Sequence, residues 1–164
     1  MPTSLQQHRL TREFNRYDVD GDGTIDQTDI DGVVQSLCSA HRVVPGSPAW
    51  REITSRANRL WYDLIGHLDD DGDRTVSREE WVAAHDRPGF IDAVAIPLAR
   101  FAFEIGDADQ DGRMSLNEWM ISHTVFGSNQ LEALESFQSL DEDGDGYVTA
   151  DEHAAAVARF YSEQ

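Results

Sequence analysis

Residues 141–152 read DEDGDGYVTADE, and the spacing of the oxygen-bearing side chains in this stretch decides the fold. Asp141, Asp143 and Asp145 stand at positions 1, 3 and 5, Gly146 at position 6 and Glu152 at position 12. A hard cation such as Ca²⁺ takes about 6–8 oxygens, and a loop that coils around it supplies them from alternate positions. On this reading the three aspartates each offer a carboxylate, Gly146 makes the sharp turn and Tyr147 gives its carbonyl. Thr149 takes the water-assisted position and Glu152 closes with both oxygens. Val148, at position 8, is expected to pair with its counterpart in a neighbouring loop as a short antiparallel bridge.

The pattern recurs three more times, as DVDGDGTIDQTD over 18–29, DDDGDRTVSREE over 69–80 and DADQDGRMSLNE over 107–118. Each copy has Asp at positions 1, 3 and 5, an aliphatic residue or Met at position 8 (Ile25, Val76, Met114, Val148) and an acid at position 12. Four copies in register exclude coincidence. The candidate ligands in the first loop are Asp18, Asp20, Asp22, Thr24, Asp26 and Asp29. In the second they are Asp69, Asp71, Asp73, Thr75 and Glu80, and in the third Asp107, Asp109, Asp111, Arg113 (through its carbonyl) and Glu118. The fourth offers Asp141, Asp143, Asp145, Tyr147 and Glu152.

The copies are unequal. The third and fourth keep glycine at position 6 and glutamate at position 12, as strong calcium loops require. The first ends in Asp29, one methylene shorter, which lowers the preference for calcium and admits Mg²⁺ as a competitor, although Asp26 adds a carboxylate. The second has Arg74 where glycine belongs. A positive φ costs a non-glycine residue about 1–2 kcal/mol, and the guanidinium brings positive charge toward the ion, so this loop is expected to be weak or empty.

The flanks carry apolar residues at helical spacing. Leu10, Phe14 and Tyr17 precede the first loop; Leu60, Trp61, Leu64 and Leu68 precede the second; Leu98, Phe101 and Ile105 precede the third; Leu131, Leu134, Phe137 and Leu140 precede the fourth. The pairs Ser77/Glu80, Ser115/Glu118 and Thr149/Glu152 read as capping boxes that start the helix leaving each loop. The expected fold is all-α, with four helix–loop–helix units paired into two lobes, 1–86 and 90–164, packed as one compact body. Pro88-Gly89 breaks any continuous central helix, and Pro97 either kinks the next helix or marks its start.

Composition narrows the function. Against 31 acids stand 13 basic residues, all arginine, for a net charge of −18. No basic patch is available to displace counterions from phosphate, so neither nucleic acid nor an anionic membrane is an expected partner. The acids cluster in the four loops, where bound cations would offset their repulsion. The single cysteine, Cys38, rules out an internal disulfide and suits a reducing cytoplasm, and the arginine bias suggests a bacterial source. The start, Met1-Pro2-Thr3-Ser4, resembles neither a secretion signal nor a myristoylation site. No nucleophile motif, phosphate loop or zinc-binding histidine pair occurs, so an enzyme is not expected.

The four loops resemble those of the EF-hand superfamily. The layout, with its longest interval between loop starts 18 and 69, resembles the calerythrin and sarcoplasmic calcium-binding protein group. That resemblance implies an intracellular calcium buffer or store with three good sites and an impaired second one, acting as a monomer. The alternative is a sensor that exposes an apolar surface to a specific protein partner. Sensors open a Met-rich groove, whereas this chain has three methionines, the initiator included, against four tryptophans and seven phenylalanines. The aromatics, with His67, His85 and His123, also raise a small-ligand carrier. Aromatic residues at helical spacing are read instead as core, and scattered histidines, His153 among them, as solvated surface.

Overall fold

Each acidic loop is entered and left by a helix. In the computed structural model, which describes residues 4–162, α1 (Ser4–Tyr17) and α2 (Gln27–Ala40) flank the first loop, and α3 (Pro48–Leu68) and α4 (Arg78–His85) the second. The third lies between α5 (Ile96–Gly106) and α6 (Leu116–Val125), the fourth between α7 (Gln130–Leu140) and α8 (Ala150–Ser162). The readings that rest on Met1, Pro2 and Thr3 lie outside the described residues. Among those described, no helix is long and apolar enough to cross a membrane.

The loops are joined in pairs by their eighth residues. β1 (Thr24–Ile25) runs antiparallel to β2 (Val76–Ser77), with Ile25 opposite Val76. β3 (Arg113–Ser115) runs antiparallel to β4 (Tyr147–Thr149), with Met114 opposite Val148. All four residues are buried, so each bridge also anchors its loops to the core.

The three capping boxes form. Ser77 and Ser115 each accept the backbone N–H of the glutamate three residues on, whose side chain accepts theirs in return, and Thr149 and Glu152 exchange the same bonds at 3.2 and 2.8 Å. Two further boxes were not read from the sequence: Asp26 with Asp29 at the start of α2, and Asn129 with Glu132 at the start of α7. A search for Ser or Thr followed by Glu misses both, because any short side-chain oxygen can cap.

The core crosses from one half to the other. Phe14, Leu64, Leu68 and Trp81 pack with Phe90 and Val94, and Val157 and Tyr161 of the last helix close over them. A second cluster gathers Phe103, Met114, Trp119, Phe137 and Val148 around the bridge of the last two loops. From α2, His41 Nε2 reaches Ser122 Oγ of α6 at 2.8 Å. The result is the single compact body expected from the sequence. α4 ends at His85, Gly89 turns the chain with φ +88°, and a π-helical turn over Ile91–Ala95 leads into α5. Pro97 is the second residue of α5, directly after the π-helical turn, and the backbone stays helical through Ala95 and Ile96.

One apolar assignment needs correction. Leu131 is 64% exposed. The buried face of α7 is Ala133, Phe137 and Leu140, and two residues before Ala133 lies about 200° round the helix. Small Ala133 carries the packing that the larger leucine seemed to promise.

Four acidic loops as a candidate metal centre

The aspartates converge in every loop. Carboxylate oxygens of Asp18, Asp20 and Asp22 lie within 4.8 Å of one another, as do those of Asp69, Asp71 and Asp73 and those of Asp141, Asp143 and Asp145; in the third loop the group is Asp107, Asp109 and Glu118. Backbone N–H groups hold these like charges together. The N–H of residue 6 donates to the position-1 carboxylate in all four loops, from Gly23 at 3.1 Å, Arg74 at 3.0 Å, Gly112 at 2.9 Å and Gly146 at 3.0 Å. Arg74 makes this bond by adopting φ +69°, close to the +86° to +94° of the glycines in the same place. The second loop thus keeps its turn, at the cost of about 1–2 kcal/mol of backbone strain.

Position 4 imposes the same demand, which the sequence reading missed. Gly21, Gly72 and Gly144 have φ of +71° to +80°, and Gln110 takes +59° in the third loop. The signal was available as the glycine that three of the four copies share at that position.

The residues fit a cation. Asp18 Oδ1 and Asp141 Oδ1 are buried and accept no hydrogen bond among the described residues. A buried carboxylate oxygen left unpaired costs several kcal/mol, and a cation at the loop centre relieves both. In the second and third loops the corresponding oxygens instead accept N–H groups, Asp69 Oδ1 from Gly72 at 2.7 Å and Asp107 Oδ1 from Asp111 at 3.1 Å.

Position 12 closes three loops by a common clamp. Glu80 accepts from Asp70 N at 2.9 Å and Ser77 N at 2.8 Å; Glu118 accepts from Ala108 N at 3.0 Å and Ser115 N at 2.9 Å. Asp29, although shorter, spans the same gap, accepting from Val19 N at 2.8 Å and Asp26 N at 2.9 Å. It does so by sinking to 4% exposure. In the fourth loop Glu152 holds the Thr149 side at 2.8 Å, while the N–H of Glu142 turns to Leu140 O.

Position 1 feels opposite fields in the second and third loops. Burial raises the pKa of Asp107, aided by the nearby Asp111 and Glu118 carboxylates, against the N–H bonds of Gly112 and Asp111. Burial also acts upward on Asp69, but N–H donors from Gly72, Arg74, Asp73 and Asp71 outweigh it and lower the pKa. A bound cation would reverse the Asp107 shift. At position 7, Thr24 and Thr75 turn their hydroxyls to Asp22 and Asp73. Arg113 folds back on Asp111 and lies over the Tyr147 ring at 3.9 Å, linking the last two loops.

Two histidines correct the surface reading. His123 and His153 both pack against Trp119, with ring centroids at 4.4 and 5.4 Å. Burial pushes both down to about 4.

Four helix–loop–helix units, bridged in pairs and each closed around clustered carboxylates, define a four-handed protein. The EF hand family model matches residues 11–32 and 134–152. Calerythrin of Saccharopolyspora erythraea is 23% identical over 98% of this chain and 94% of its own. The probable calcium-binding protein CML16 of rice, Oryza sativa subsp. japonica, is 30% identical over 96% and 83%. A Streptomyces coelicolor calcium-binding protein, solved as the basis for prokaryotic calcium-mediated regulation, superposes with a TM-score of 0.79 at 31% identity, covering 95% of this chain and 97% of its own. The chain belongs to the EF-hand family.

Proposed function

We propose that the protein is an intracellular calcium buffer, with strong sites in the first, third and fourth loops and a weak one in the second. The observation that carries this reading is the core that crosses both halves. The faces a sensor would open are already occupied, with Trp61, Leu64 and Trp81 in one cluster and Met114, Trp119 and Phe137 in the other. Met114 is buried, and the large exposed apolar residues, Val19, Val44, Tyr62, Leu116 and Leu131, are scattered along the chain. The candidate ligands of each loop would hold Ca²⁺ by oxygen alone, with Mg²⁺ competing mainly at the first loop. The halves 1–86 and 90–164 would each act as a pair. The buried Cys38 thiol suits a cytoplasmic setting, and no catalytic role follows from this reading.

A second reading, a sensor that regulates a protein partner, is favoured by the likeness to the Streptomyces coelicolor protein. Calorimetric titration with Ca²⁺ in millimolar Mg²⁺, with the anionic dye 8-anilinonaphthalene-1-sulfonate followed in parallel, separates the two. About three tight equivalents with no gain of dye on adding calcium support the buffer. Dye uptake that calcium induces and a chelator reverses supports the sensor.

A further inference from the structure

Between α1, α5, α6 and α8 lies a cavity of about 350 Å³, partly open to solvent. At about 30 Å³ for each water, it has room for about a dozen. Protein interiors pack with few voids larger than one water, so this is no packing defect. Its cause is legible in the chain. Ala95, Ala99 and Ala102 fall on one face along the approach to α5 and through it, and Ala156 of α8 also lines the space. Four methyl groups stand where larger side chains would meet.

The polar atoms of the wall are the second observation. Tyr17, Tyr161 and His153 all line the cavity, and among the described residues none of their side-chain polar atoms has a hydrogen-bond partner in the protein. His123 has only Ser128 Oγ, at 3.4 Å. None of these atoms is sealed from solvent, so the hydroxyl and imidazole groups converge on the cavity with hydrogen-bonding capacity free for water or a ligand. Glu13 and Arg16 also line it but pair with each other at 3.0 Å, which leaves no unpaired charge to attract an ion. The remaining walls are largely rings, among them Phe103, Trp119, Phe126 and Phe160.

We infer that this cavity is a binding site for a small, neutral, aromatic molecule carrying one or more hydrogen-bonding groups, seated among the rings and bonded to Tyr17, Tyr161 and the two histidines. Apolar pockets with a few convergent polar groups are the usual form of small-molecule sites. The cavity takes Met114 from the third loop but none of the candidate ligands, and its test runs at constant saturating calcium, so the buffer-or-sensor question does not enter.

The probe is N-phenyl-1-naphthylamine, a neutral aromatic amine that brightens in apolar surroundings, titrated into the full chain. The expected result is one saturable equivalent with energy transfer from tryptophan. Ala156→Phe and Ala99→Leu, which fill the cavity from two different helices, should each weaken binding about tenfold or more while the melting temperature holds or rises. Where one variant melts early, the other decides. No saturable binding, or affinity unchanged in the well-folded filled variant, overturns the inference and leaves the cavity to water. The polar contacts have their own readout in naphthalene and 2-naphthol. Tyr17→Phe should weaken 2-naphthol about two- to tenfold, the worth of one hydrogen bond, and leave naphthalene unchanged. Equal loss for both would overturn the assignment of Tyr17.

Discussion

The second and third loops solve one backbone problem with opposite compromises. Both need left-handed residues at positions 4 and 6. The second has Gly72 and then Arg74; the third has Gln110 and then Gly112. The first and fourth have glycine at both. All four nevertheless direct the same N–H to the position-1 carboxylate within 3.1 Å. What fixes the loop is therefore its hydrogen bonding to that aspartate, and glycine only lowers the strain of reaching it. The difference between the loops lies in charge. Arg74 is an exposed cation on the loop, whereas Gln110 is neutral and the third loop's own cation, Arg113, is paired with Asp111.

The largest test removes the metal. At a thousandfold excess of calcium over Kd, each occupied site adds about 4 kcal/mol to stability. Chelation should therefore lower the melting temperature steeply and blunt the near-ultraviolet tryptophan signal, because loosened loops release the bridges that anchor Met114 and Val148. Calorimetry and circular dichroism with and without chelator check this; an unchanged melting curve would refute coupled binding and folding. Next in size is the closing carboxylate. Glu118→Gln should weaken its site on the order of a hundredfold by making a charged two-oxygen ligand neutral, and calcium titration should lose one tight equivalent. Glu80→Gln should leave the count of tight equivalents unchanged if its loop is the weak one, as proposed. Equal losses would erase the proposed difference between the loops.

Acid tests the helices that leave these loops. His123, on α6 beyond the third loop, is pushed down to about 4 by burial, with Arg16 and His153 nearby acting in the same direction. An unfolded histidine protonates near 6.5, so between pH 6.5 and 4 the unfolded chain binds the extra proton. Stability then falls as pH falls, by up to about 1.4 kcal/mol per unit for one such group. Melting temperatures of His123→Gln across that window, compared with the unaltered protein, should show a flatter acid limb. Parallel limbs would mean that the histidine protonates freely in the fold.

Much of this was legible in the chain, because metal binding and chain turning are written by the same residues. The twelve-residue spacing locates every loop, position 8 locates both bridges, and Pro88-Gly89 locates the turn between α4 and the helical segment that follows. Three features escaped for physical reasons. The demand at position 4 shows in the glycine of three loops but is masked in the third, since glutamine gives no hint of φ +59°. The reach of Asp29 depends on its burial, which one-dimensional spacing does not encode. The cavity needs Ala99 and Ala156 on different helices to lie around one space, and alanine in an apolar stripe reads as filler wherever it occurs.

The smallest effect is the sharpest probe of the comparison. Arg74→Gly removes about 1–2 kcal/mol of left-handed strain but gives the unfolded chain about 0.4–1 kcal/mol of added freedom. At the middle of those ranges the net backbone gain is about 0.8 kcal/mol, and loss of the positive charge is expected to add to it. Calcium binding at the second loop should tighten about two- to tenfold. Gln110→Gly makes the same backbone change in the third loop without a change of charge, so it should tighten binding about two- to fivefold at most. Titrating both variants at low and high ionic strength separates the two causes, because salt screens a charge and leaves a dihedral angle alone. If the advantage of Arg74→Gly over Gln110→Gly shrinks in high salt, the second loop is weak because of its charge. If the two gains match at every salt concentration, strain alone accounts for both loops, and Arg74 is no more than a poor glycine.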